Sequence, residues 1–291
     1  MARAGLDGAN WLATTGPAAA LQRRLAKADT AEWRWETDPP PRSGKLCVFV
    51  TYAPGGVIPE RAVRHAEIWQ EAGYHILFVV ALDDYAIHPD IPFGHAISRE
   101  NRGHDFAAWS RALNEITLGG LEMLATVNDS VFASAALSDA IARAEAMEAD
   151  MVGFTESREC RWHLQSYAVL FKPAAIRRPA FAKFWQPREC SRRQVIWTYE
   201  VQMAQAMRDA GLRVTTLFPV DRFLNPTHHY WPELLALGFP FVKRSSLPQQ
   251  YDRWAGSFEA HGFDAALIER ERPSAQHRTA WRRLIDSLTS E

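Results

Sequence analysis

The sequence predicts an α/β domain built on a Rossmann-like, mostly parallel sheet with helices on both faces. Three observations lead there. Two short apolar runs rich in β-branched and aromatic residues, Lys45–Tyr52 (KLCVFVTY) and Tyr74–Ala81 (YHILFVVA), bracket a segment with helical spacing. Strand, helix and strand in that order require a parallel pair joined by a right-handed crossover. A third apolar run, Leu121–Val127, ends on Asn128-Asp129-Ser130, and the polar stretch Ser98–Asp105 leads into a helix. Both polar segments therefore sit at the edge where open α/β sheets bind ligands.

Residues 1–44 are read as an N-terminal extension with a helix over Ala18–Ala28. It closes on Pro39-Pro40-Pro41-Arg42-Ser43-Gly44, which neither a helix interior nor a central strand accommodates. Lys45–Tyr52 follows as a buried strand. Pro59 opens a helix carrying Ala62, Val63, Ala66, Ile68, Trp69 and Ala72 that stops at Gly73, with proline at the first turn and glycine just past the end. Tyr74–Ala81 is the next strand, Phe106–Thr117 a helix and Leu121–Val127 a strand, completing a nucleotide-binding half over 45–130. The second half, 131–250, reads as a helix over Ala135–Met147, strands Met151–Thr155 and Leu164–Lys172, helices Pro173–Trp185 and Arg192–Ala210, and a strand Val214–Phe218. The charged, weakly helical stretch 251–291 is expected to be a surface appendage.

A chain of 291 residues suits one large domain with appendages, since single cores stop growing near ~250 to 300 residues. With 47% hydrophobic residues, 11 Trp and 15 Phe, it has ample material for an aromatic-rich core. The 33 basic and 34 acidic residues leave a net charge of −1, so no global field recruits nucleic acid or an anionic membrane. Three widely spaced cysteines, Cys47, Cys160 and Cys190, without a CxxC or a secretory leader, argue against a disulfide framework or a cysteine zinc site and for a cytoplasmic setting. No run approaches the roughly eighteen consecutive apolar residues of a membrane span, so any membrane association is expected to be peripheral. The glycine patterns of dinucleotide sites, P-loops and nucleophile elbows are all absent.

Asp129, beside Asn128 at a strand end, suits Mg²⁺ or Mn²⁺ bridging to a diphosphate, because hard cations take carboxylate and phosphate oxygens. The plainer reading makes Asp129 or Ser130 a helix cap. Asp105 is either an N-cap or, with Asn101, Arg102 and Gly103, part of a nucleotide site at a helix start. Glu200, early in an amphipathic helix, either complements the helix dipole or deprotonates an acceptor hydroxyl. His228 and His229 are adjacent and cannot share one helix face as an HExxH pair does; one of them could complete a metal at Asp129 or contact a phosphate, or both are structural. A metal-dependent hydrolase built on these three side chains would need a compact cluster. His163 and Gln165 share one face of a strand near Tyr167, which suits either sugar binding or an ordinary half-exposed strand.

Six blocks in one order, RENRGHDFAAW, VNDSVF, HLQSYAVLF, PAFAKFW, TYEVQMAQAM and NPTHHYWPELLALGFPFVKR, resemble the rhamnan synthesis protein F family of bacterial polysaccharide assembly. The resemblance runs from about Leu46 to Leu247. It implies a GT-A-like glycosyltransferase fold with a nucleotide-sugar half and an acceptor half, using a donor such as dTDP-rhamnose and a cell-surface or lipid-linked glycan acceptor. Asn128-Asp129-Ser130 stands in the place of the Asp-x-Asp motif of such enzymes and keeps one carboxylate. Tyr199-Glu200 resembles the segment carrying the base of inverting members, which implies Glu200 as catalytic base in a single displacement. The rival expectation is a non-catalytic nucleotide- or glycan-binding module, to which the single carboxylate also points. Asp105, Asp129, Glu200 and His228 are expected to share one cleft.

Overall fold

A computed structural model of the chain describes residues 27 to 273, apart from 160 and 190. The helix expected over Ala18–Ala28 lies almost wholly outside the described residues, as do Cys160, Cys190 and the last part of the tail. The strands are β1 (Trp33–Trp35), β2 (Ser43–Tyr52), β3 (Tyr74–Leu82), β4 (His95–Glu100), β5 (Gly120–Asn128), β6 (Val131–Ala133), β7 (Met151–Ser157), β8 (His163–Leu164), β9 (Ala168–Phe171), β10 (Val214–Phe218) and β11 (Phe241–Lys243). The helices are α1 (Glu60–Glu71), α2 (His104–Glu115), α3 (Leu137–Ala146), α4 (Pro173–Ile176), α5 (Pro179–Phe184), α6 (Arg192–Gln194), α7 (Val201–Asp209), α8 (Pro226–His229), α9 (Trp231–Ala236), α10 (Leu247–Trp254) and α11 (Ala265–Glu271).

The main sheet runs β1-β4-β3-β2-β5-β9-β7-β10, with β8 paired to β7. The pairs β4–β3, β3–β2, β2–β5 and β7–β10 are parallel, and β9 lies antiparallel between β5 and β7. The fold is thus mixed α/β with a mostly parallel sheet. Alternate side chains of each strand feed opposite faces. Phe49, Phe78, Val80 and Val127 pack under Ala62, Ala66 and Trp69 of α1 and Leu137 and Ile141 of α3. Val48, Val50, Leu77, Val79 and Leu124 face α2 and α7 through Phe106, Trp109, Leu113, Met203 and Met207. A smaller lobe forms where β6 pairs with β11 and Phe132, Val242, Trp231, Phe258 and Phe263 gather.

Several elements differ from the sequence expectation, each for a local reason. Strand β4 hides inside the polar stretch because the buried Arg99 is neutralised by Asp29, to which its Nη2 donates at 3.1 and 3.2 Å. Asp29 and β1, which pairs with β4, both fall in the stretch expected to be an extension, so part of it is woven into the sheet. The strand expected over Leu164–Lys172 divides into β8 and β9. Its middle is diverted because the Gln165 N–H donates to Thr155 O, while Tyr167 O accepts from the Asn128 N–H. The helix expected over Pro173–Trp185 breaks before Pro179, which holds Arg178 extended at ψ 134°. The helix expected over Arg192–Ala210 contains a π-turn at Val195–Glu200. The stretch 251–273 packs rather than hangs: Phe258 and Ile268 are buried, and Glu271 reaches Arg61.

Candidate functional site

Strands β3 and β4 follow one another to one side of β2, whereas β5 lies on the other, so strand order reverses between β2 and β5. Such a point is where open α/β sheets take ligands, outside the carboxyl ends of the strands. Trp109 ties β2 to β5 there: the buried indole N–H donates to both Val48 O and Val127 O at 3.2 Å.

Asp129 extends from the end of β5 into this region. Its Oδ2 accepts from Thr51 Oγ1 of β2 at 2.9 Å and from Arg61 Nη2 of α1 at 2.8 Å. Arg61 Nε also donates to the Asp129 carbonyl at 3.1 Å, and its Nη1 pairs with Glu271 of α11 at 2.7 Å. One guanidinium therefore ties α1, the end of β5 and α11 together. Asn128 Nδ2 donates to Asp105 Oδ2 at 2.6 Å, while Asn128 Oδ1 accepts from Ser130 N at 3.2 Å and Ser130 Oγ at 2.7 Å. Asp105 enters from the first turn of α2, preceded by Gly103 at φ 73° and His104 at φ 59°. The left-handed His104 costs ~1 to 3 kcal/mol of strain and turns the chain abruptly into α2.

The second half of the chain reaches the same strand ends. Glu200 ends the π-turn, and its Oε1 accepts from Ser166 Oγ at 3.0 Å. Lys243 ends β11, which pairs with β6 two residues after Asp129, and Arg244 opens the 3-10 turn that follows. Burial, reinforced by the charge of Asp129 and then of Glu200, pushes Asp105 up to about 6. Burial lowers Lys243, with Glu200 the largest opposing charge. Arg192 is lowered by burial and supported by Asp105 and Glu200. The charges of Asp129 and Glu200 thus both act on Asp105, and those of Glu200 and Asp105 both act on Lys243 and Arg192.

Of the other residues singled out from the sequence, only His228 comes near this cluster. Asn101 Nδ2 donates to Asp83 Oδ1 at 3.1 Å, and Arg102 pairs with Glu189 at 2.9 Å on the surface. His163, Gln165 and Tyr167 are 6%, 2% and 2% exposed, so the half-exposed sugar-binding face expected of them is absent. They are interior because Gln165 joins a polar chain: its Nε2 meets His163 Nε2 at 3.2 Å, and its Oε1 accepts from Asn225 Nδ2 at 3.1 Å. His228 is adjacent to Lys243 and held near neutrality; burial, with Lys243 and His229, brings it down to about 3.

Sequence reasoning missed Thr51, Arg61, Lys243 and Arg244. Arg61 left a signal, since it lies on the i, i+4, i+8 stripe of α1 with the buried His65 and Trp69, where an unpaired charge would be costly. Lys243-Arg244 left a weaker one, as two cations closing an apolar strand.

The side chains expected to hold Mg²⁺ or Mn²⁺ do not fit a resident ion. Asp129 offers a single carboxylate whose Oδ2 is already taken by a guanidinium and a hydroxyl. His228 Nδ1 is engaged with Ser246 Oγ at 3.0 Å, and the neighbour that bears on it most is an ammonium. Among the described residues, no three His, Cys, Asp or Glu side chains are grouped to hold a metal.

A family model described as Rhamnan synthesis protein F matches residues 93–258. The chain belongs to that family. The matched segment of this rhamnan synthesis protein F relative contains Asp105, Asp129, Glu200, Lys243 and Arg244, whereas Thr51, Arg61 and Glu271 lie outside it. Virulence protein VirA of Vibrio anguillarum is 24% identical over 190 residues, covering 52% of this chain and 61% of VirA. The chain thus spans less than two thirds of that relative's length. Among solved structures, a Drosophila β1,4-galactosyltransferase 7 mutant in complex with manganese, UDP-Gal and xylobiose is 11% identical, with 72% of this chain and 73% of that one covered at a TM-score of 0.38. The 2-C-methyl-D-erythritol 4-phosphate cytidylyltransferase of Thermus thermophilus is 15% identical, with 66% and 97% covered at a TM-score of 0.38.

Proposed function

We propose that this chain is a glycosyltransferase that moves a sugar, rhamnose or a related deoxyhexose, from a nucleotide-sugar donor to a cell-surface polysaccharide or lipid-linked glycan. Membership of the rhamnan synthesis family supports the class of chemistry. The observation that carries the reading is the convergence of Asp105, Asp129 and Glu200, from three distant segments, at the reversal of strand order. Such convergence is what a built ligand site requires and what packing alone does not.

In this reading the reaction is a single displacement. The acceptor hydroxyl gives its proton to Glu200 as its oxygen bonds to the anomeric carbon. The bond from that carbon to the diphosphate oxygen breaks, and the nucleoside diphosphate leaves with the electron pair. Ser166 holds one oxygen of Glu200, and the other would take the proton. A lipid-linked acceptor would be met at the inner face of the plasma membrane. No helix among the described residues is long and apolar enough to cross a membrane.

The test is a screen of dTDP-, UDP- and GDP-sugars, with and without Mn²⁺, following diphosphate release and sugar transfer. Turnover of at least one donor is expected. Failure of every donor to bind or react overturns the reading. Donor binding without turnover, unchanged by Asp129→Ala, would instead identify a catalytically silent module.

A further inference from the structure

We propose that Lys243 and Arg244 neutralise the diphosphate of the donor, in the place where a metal-dependent arrangement would put a divalent cation. This rests on the glycosyltransferase reading and adds to it the groups that hold the leaving phosphate. Three observations carry it.

The first is position. Strand β11 runs antiparallel to β6 with Lys243 opposite Val131, and the Arg244 N–H donates to Ser130 O at 3.0 Å. The backbone thereby sets both cations beside the strand end that carries Asn128 and Asp129. Phe132 and Val242 are buried in the small lobe, so a one-residue slip would expose them and the register is fixed. Lys243 is the last residue of β11, and Arg244 opens the 3-10 turn that follows, so the chain changes direction between them. Lys243 lies within the field of Glu200 and Asp105, and Arg244 within that of Arg61, Asp129 and Glu271.

The second is availability. Among the described residues Lys243 has no ion pair, and its ammonium lies 6.0 Å over the Tyr167 ring. A cation held among carboxylates without bonding to one keeps its hydrogen-bond donors for a ligand. The third is the donor set at Asp129, whose Oδ2 is already committed to Arg61 and Thr51. Phosphate suits the alternative: an ammonium acts as a point charge and a guanidinium as a fork, both preorganised where charge develops on the departing oxygen.

The experiment is calorimetric titration of dTDP, UDP and GDP in EDTA and again with Mn²⁺, on the wild-type chain and on Lys243→Gln, Arg244→Gln and Lys243→Arg. At least one nucleotide should bind in EDTA with an affinity that Mn²⁺ leaves essentially unchanged. Each glutamine variant should weaken it roughly 10- to 100-fold, as loss of a charged hydrogen bond does, with a smaller effect on the matching monophosphate. Lys243→Arg should recover part of the loss, which separates charge from folding. Binding only with Mn²⁺, at equal strength in wild type and Lys243→Gln, overturns the proposal and leaves the glycosyltransferase reading standing. No binding of any nucleotide under either condition overturns both.

Discussion

The two halves of the sheet are built differently. From β4 through β3 and β2 to β5 every neighbour is parallel, and β2 and β3 stay in register from Lys45–Tyr74 to Tyr52–Ala81. Beyond β5, the four-residue β9 is wedged in antiparallel, β8 has two residues, and the helix behind them starts with a π-turn. The first half holds the reversal of strand order and carries Thr51, Asp105 and Asp129. The second half brings Glu200, Lys243 and Arg244 to it on short, irregular pieces. A long regular sheet gives rigidity, whereas groups that must meet a ligand sit where the backbone departs from regularity.

If that division holds, substitutions in the second half should change chemistry more than stability, and those in the first half the reverse. The largest expected effect is kinetic. Glu200→Gln should lower turnover ~10²- to 10⁴-fold while donor affinity and melting temperature change little. Near-normal turnover in that variant would remove Glu200 as the base. In the first half, Trp109→Ala should cost ~3 to 5 kcal/mol in denaturant unfolding, because it empties a large core site. Trp109→Phe keeps most of the volume but strips the bond to Val48 O and Val127 O, and should cost ~1 to 3 kcal/mol. A neutral Trp109→Phe would show that the indole does not pin the switch point.

Arg61 spans the division. Arg61→Met leaves Asp129 and Glu271 without their shared cation and should cost on the order of 2 to 4 kcal/mol, somewhat below the loss from a fully buried pair because both carboxylates keep some solvent contact. It should also weaken donor binding, whereas Glu271→Gln should cost less on both counts. Equal losses from the two would mean that Arg61 serves α11 rather than Asp129.

The smallest effect concerns Asp105. Its folded pKa, up to about 6, exceeds the unfolded value near 3.9, so the folded chain holds an extra proton between about pH 4 and 6. Stability should therefore fall as pH rises through that window and stay lower above it. Asp105→Asn removes this, raising stability by on the order of 1 to 2 kcal/mol above pH 6 and by little near pH 4. Thermal melts across pH 4 to 8 would show it. A gap independent of pH would indicate that Asp105 is not under electrostatic pressure.

The same division governs what could be read from sequence. Strands β2, β3, β5, β7 and β10 and helix α1 announce themselves through apolar runs and helical spacing. Strand β4 does not, because its buried Arg99 imitates a surface residue until Asp29 is known to neutralise it. Asp105, Asn128 and Asp129 could be singled out because they follow or precede regular elements. His163 and Gln165 misled because a two-residue strand folded against Asn225 has no exposed face. Lys243 and Arg244 gave almost no sign, since their meaning comes from pairing with Val131 and Ser130, more than a hundred residues earlier in the chain.

The central claim is that a nucleotide sugar binds at the reversal of strand order between β2 and β5. Amide hydrogen exchange with and without the preferred nucleoside diphosphate tests it most directly. The account predicts slowed exchange at 51–56, 103–106, 128–131 and 243–244, drawn from both halves of the chain. Protection confined to other surfaces, such as the hollow between Pro219 and Leu237, would contradict it.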